Sequence, residues 1–92
     1  MSVVIVGGHE RMEVQYKDIC KKYKCKVKVF TKMAGNLKNQ IGNPDLLILF
    51  TSTASHKMVY CAVAESERKN ITVERSHSSS SNALINILER YA

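Results

Sequence analysis

Three stretches of this 92-residue chain carry side chains able to do chemistry. The first is Gly7-Gly8-His9 with Arg11 close behind. The second is Thr51-Ser52-Thr53-Ala54-Ser55-His56. The third runs from Ser76 to Asn82 and holds His77 and the serines Ser78, Ser79, Ser80 and Ser81. Each lies between a run that reads as a strand and a run that reads as a helix. Glycine amides, hydroxyls and an arginine at such junctions favour an anion, because helix N-termini expose unpaired N–H groups and a guanidinium grips a carboxylate or phosphate with two prongs.

Each feature also has a plainer explanation. Gly7-Gly8 lets a backbone approach a ligand, but a tight strand-to-helix turn needs glycine anyway. It is neither GxGxxG nor a Walker loop, so a dinucleotide or P-loop phosphate site is disfavoured. Arg11 is expected in the first turn of the first helix, facing an anion or else pairing with Glu10 or Glu13. His56, at a helix start among hydroxyls, is favoured as the neutral imidazole that accepts a proton or ligates a metal. A capping or packing histidine is the alternative, and the same choice holds for His77 beside Ser78. All three histidines of the chain fall on one expected edge, where they could gather about one ligand.

Reaction types narrow further. No HxH or HExxH spacing supports zinc, which wants three or four protein ligands. Haem needs one axial histidine and an apolar cleft, so His9, His56 or His77 could serve. There is no GxSxG elbow, which disfavours a serine hydrolase. Ser78 to Ser81 read instead as hydroxyl donors at a helix N-terminus, with a low-complexity linker as the bland alternative.

The elements that would position these groups follow from periodicity. Val3 to Val6 and Leu46 to Phe50 are continuous apolar runs, expected as strands covered on both faces. In the segment Cys25 to Phe30, residues Cys25, Val27 and Val29 alternate with Lys26, Lys28 and Phe30, as in a half-exposed strand. A short strand is expected over Ile71 to Glu74. Glu10 to Tyr23 reads as a helix with the stripe Met12, Tyr16, Ile19, Cys20 and Tyr23. His56 to Lys69 is a second, with Met58, Val59, Ala62 and Val63 inward. Asn82 to Tyr91 is the last, with Ala83, Leu84, Ile87, Leu88 and Tyr91 inward. Met33 to Ile41 reads as a loop with a weak helical turn. Strand-helix alternation of this kind gives an α/β fold: a small four-stranded parallel sheet of order 2-1-3-4, in a flavodoxin- or Rossmann-like three-layer sandwich. Ligands of such sheets bind beyond the carboxyl ends of the strands, which is where the three polar stretches fall.

Composition excludes several classes. The longest apolar run, Leu46 to Phe50, is far short of the roughly 20 residues needed to span a bilayer, so no membrane partner is expected. Three cysteines (Cys20, Cys25 and Cys61) without CxxC spacing suit reduced thiols, and no signal peptide is evident; a cytoplasmic protein is expected. The net charge is +6, and seven of the fourteen basic residues lie between Lys17 and Lys32. That density raises nucleic acid as a partner through phosphate contacts, although aromatic residues are not interleaved for base stacking. Lys26 and Lys28 would equally serve to blunt an edge strand.

Taken together, Val3 to Met12 with its Gly7, Gly8 and Arg11, the strand followed by Ser55-His56, and the segment Ser78 to Ser81 before the last helix resemble DUF2325, a family of small bacterial α/β domains. The resemblance spans nearly the whole chain and implies one domain over residues 1–92, with its site at the same edge. It implies no substrate. The residues themselves point first to a regulatory or sensing domain, expected as a homodimer, that binds an anionic small molecule. In that reading Gly7, Gly8, His9 and Arg11 meet the anion, Thr51, Ser52, Thr53, Ser55 and His56 form one wall, and Ser78 to Ser81 form the other. A haem- or metal-dependent enzyme using a histidine such as His56 is the second reading, and nucleic-acid binding through the lysine-rich face is the third.

Overall fold

A computed structural model describes residues 1–91. Four strands, β1 (Ser2–Val6), β2 (Lys26–Phe30), β3 (Leu46–Phe50) and β4 (Thr72–Ser76), form one parallel sheet of order β2-β1-β3-β4. Four helices accompany them: α1 (Glu13–Lys22), α2 (Leu37–Ile41), α3 (His56–Lys69) and α4 (Ser81–Tyr91). The fold is α/β and Rossmann-like, in the strand order the alternation of elements predicts.

Helices cover both faces of the sheet, which is why the two central strands carry no polar residue except Ser2. Val3, Ile5, Leu46, Ile48 and Phe50 pack under α1 and α4, with Tyr16, Ile19, Leu84 and Leu88 among their partners. Val4, Val6, Leu47 and Leu49 face α2 and α3, meeting Leu37, Ile41, Met58 and Ala62. The register sets Val3 beside both Val27 and Leu46, so each apolar layer is continuous across strands. Cys25, Val27 and Val29 join the first layer and Phe30 the second, as their alternation predicts.

Several boundaries differ from the sequence reading. The segment Glu10 to Tyr23 is not one α-helix: Glu10–Met12 forms a 3-10 turn, tightened by the Met12 amide donating to the His9 carbonyl at 2.9 Å. Periodicity alone blurs that break, because Met12 still packs on the core below the turn. β4 extends to Ser76, held by the Thr51 amide donating to the Ser76 carbonyl. α2 is a true five-residue helix that buries Leu37 and Ile41.

One charged residue is buried without a sequence signal. Glu65 of α3 is 1% exposed. It meets Arg68 Nη2 at 3.0 Å and Lys69 Nζ at 3.2 Å, and the Arg68 hydrogen bond, more than any other contact, holds its carboxyl below the ordinary range. Lys69 Nζ also donates to the Gly42 carbonyl at 2.8 Å, tying α3 to the loop before β3. Burial with a partner on each side satisfies a charge that would otherwise be costly.

Candidate functional site

The chain leaves β1 through Gly7 and Gly8, both at positive φ, +100° and +88°. Their glycine identity is demanded by packing within the protein. A Cβ on Gly7 would lie 2.7 Å from the Phe50 carbonyl, and one on Gly8 would lie 2.6 Å from the Tyr16 ring. The Gly7 amide donates to the Phe30 carbonyl at 2.9 Å. The Gly8 amide donates to Thr53 Oγ1 at 2.6 Å, and Thr53 Oγ1 donates to the Phe50 carbonyl at 3.3 Å. The crevice between the carboxyl ends of β1 and β3 is therefore bridged by Thr53, and neither glycine amide faces an open space.

The other hydroxyls are similarly engaged. Thr51 Oγ1 donates to the Ser76 carbonyl and Ser52 Oγ to the His77 carbonyl, stitching the β3 turn to the end of β4. Ser55 is the N-cap of α3, its Oγ accepting from the Met58 amide at 3.2 Å. Ser55→Ala should lower stability by about 1 kcal/mol, read from chemical denaturation, because that amide loses its partner. Ser80 plays the same part for α4. Its Oγ accepts from the Ala83 amide at 3.1 Å, and its carbonyl accepts from the Leu84 amide. Ser78 Oγ donates to Ser80 Oγ and accepts from the Ser80 amide, and Ser79 is buried.

A second opening lies on the α1 and α4 side of the sheet. An open cleft of about 500 Å³ is lined by His9, Met12 and Ser78 to Ser81. Beside it, a depression of about 310 Å³ is lined by His9, Arg11 and Met12. His9 and Met12 border both. One buried contact fixes the two lips of this cleft: the Tyr16 hydroxyl donates to the Ser79 carbonyl at 2.6 Å. Burial pushes the Tyr16 phenol up, so it remains a neutral donor.

Electrostatics leave the cleft open to an anion. Glu10 pairs with Lys32 at 3.0 Å and Glu13 with Lys17 at 3.7 Å. Arg11 is exposed and takes neither of them, nor any other ion pair among the described residues. It sits in the 3-10 turn and so does not occupy the first turn of α1. The amides that begin the eleven-residue helix α4 lie at the other lip.

A family model described as an uncharacterized protein conserved in bacteria, DUF2325, matches residues 2–91. The chain belongs to the DUF2325 family. No curated protein matches it in sequence. Among solved structures, a de novo designed Rossmann fold protein is similar at a TM-score of 0.65 and 13% identity, over 97% of this chain and 94% of the design. That likeness concerns the fold alone.

In this DUF2325 chain the predicted site residues separate into groups. His9 and Ser78 to Ser81 meet at the cleft, with Arg11 adjoining. Gly7, Gly8, Thr51, Ser52 and Thr53 form the hydrogen-bonded floor and seam beside it. Ser55 caps α3, and His56, exposed at the first position of that helix, borders neither opening. Among the described residues no three His, Cys, Asp or Glu side chains gather as a metal-holding group. No described helix is long and apolar enough to cross a membrane. Cys20 is buried, and burial with Cys25 nearby pushes its thiol up to about 12, so it is no nucleophile at neutral pH. Sequence reasoning placed Tyr16 in the core stripe but missed its hydroxyl. The available signal was a tyrosine in a buried stripe, whose O–H must find a partner.

Proposed function

We propose that this DUF2325 domain binds a small anionic molecule in the cleft between the Glu10–Met12 turn and the start of α4, in a regulatory or sensing role. The observation that carries this reading is the unpaired Arg11 beside the opening bordered by His9 and Ser78 to Ser81. An arginine without an ion-pair partner on one lip and the N-terminus of α4 on the other favour a carboxylate or phosphate between them. Binding is favoured over turnover by the state of the hydroxyls: Ser78 and Ser80 are joined to each other and to the Ser80 and Ala83 amides, and neither is hydrogen-bonded to His9 across the cleft.

A thermal-shift series with inorganic phosphate, nucleotides and dicarboxylates tests the proposal. At least one class should raise Tm in a concentration-dependent way. Arg11→Ala should then weaken that ligand about 10- to 100-fold, the loss of one charge-assisted contact of about 1.5–3 kcal/mol. No shift from any class, or unchanged binding in Arg11→Ala, would sink the reading.

A further inference from the structure

Helix α3 has a second row of side chains beside the row that packs on the core. Met58, Ala62, Glu65 and Ser66 are its buried residues. Tyr60, Val63, Ala64 and Glu67 recur at the i, i+3, i+4, i+7 spacing of a second face. Val63 of this row also touches the core, while Tyr60, Ala64 and Glu67 are exposed. Tyr60 is 81% exposed, the most exposed of the large apolar side chains in the described chain. Two shallow grooves of about 360 and 380 Å³ run along this face, both bordered by Val63, Glu67 and Arg75 of β4.

The same side holds an open sheet edge. β4 is the last strand of the order β2-β1-β3-β4, so its outer main-chain groups have no strand beside them. The opposite edge, β2, carries exposed Lys26 and Lys28, which repel a like strand. The β4 edge has no such single-sign guard. β4 itself carries Glu74, paired with Arg90, and Arg75. Across the groove from Arg75 stands Glu67 of α3, and neither Arg75 nor Glu67 has an ion-pair partner among the described residues.

A face with both signs and an apolar centre is complementary to itself. A two-fold axis maps the same patch onto both copies, and one passing between Glu67 and Arg75 sets each against its opposite on the partner. We infer that the α3 and β4 face pairs with a second copy of this chain. Tyr60 of each copy seats in the other's groove, and Arg75 of each lies against the partner's Glu67. An aromatic anchor in an apolar groove, rimmed by exchanged charges, is the usual energetic core of such a contact. This inference is independent of the anion cleft.

Sedimentation equilibrium of the full chain, up to about 1 mM, reads the dimer constant directly. Tyr60→Ala, Arg75→Glu and Glu67→Arg should each weaken the dimer about 10-fold or more. Arg75→Glu combined with Glu67→Arg exchanges the charges and should restore most of the affinity, an outcome that damage to the fold would not give. Circular dichroism checks each variant. A monomer throughout the range, a dimer indifferent to the three single variants, or a double variant no better than its parents would each overturn the inference.

Discussion

Gly7→Ala should cost about 2–6 kcal/mol of stability, a large part of what a domain of this size has. Two effects add. The backbone at Gly7 holds φ +100°, where a side chain is strained by about 1–3 kcal/mol. The new Cβ would also lie 2.7 Å from the Phe50 carbonyl. That oxygen belongs to the end of a fully buried strand and accepts the Ala54 amide and the Thr53 hydroxyl, so it cannot retreat cheaply. Relief of such overpacking typically costs about 1–3 kcal/mol more. Gly35 is the internal control: nothing lies within 4 Å of a Cβ there. Urea denaturation should find Gly35→Ala within about 0.5 kcal/mol of the parent. Equal stability of the two variants would refute this view of the β1 turn.

Tyr16→Phe should cost about 1–3 kcal/mol, because it leaves the Ser79 carbonyl without its buried donor. The ring itself stays in place, stacked in a tilted pair with Phe50 at 5.4 Å between centroids. The loss therefore isolates the hydroxyl. It should also loosen the cleft: amide exchange from Ser80 to Leu84 should quicken while the β3 amides stay protected. The pH dependence has a definite sign. Burial raises the phenol above its ordinary value of 10.0. The folded state thus holds the proton more tightly than the unfolded chain does. The contribution is full below about pH 10 and is lost as pH rises through the raised value. Stability of the parent should fall across that alkaline window more steeply than that of Tyr16→Phe. Identical profiles and unchanged exchange would show that the hydroxyl does nothing.

How much of this was legible in the sequence follows from the range of the forces involved. The sheet and its order were readable because Val3 to Val6 and Leu46 to Phe50 are apolar without alternation, as suits doubly covered parallel strands, and because strands and helices alternate along the chain. The break at Glu10–Met12 was not, since a 3-10 turn keeps Met12 on the same stripe that an α-helix would. Nor was the burial of Glu65, which depends on Arg68 and Lys69 closing over it. The site shows the sharpest contrast. That the three polar stretches converge on one edge follows from topology. Where their hydroxyls point does not, because the decisive bonds join residues 45 and 63 apart in sequence, Gly8 to Thr53 and Tyr16 to Ser79. Those bonds close the central crevice and leave the opening on the α1 and α4 side.

The most direct test is a titration of ¹⁵N-labelled protein with inorganic phosphate, followed amide by amide. Saturable shifts should appear from His9 to Met12 and from Ser78 to Ala83, and they should vanish in Arg11→Ala. Shifts confined to the lysine-rich segment Lys17 to Lys32, or no saturable shift either with phosphate or with a nucleotide or dicarboxylate titrated in the same way, would contradict an anion site in this cleft.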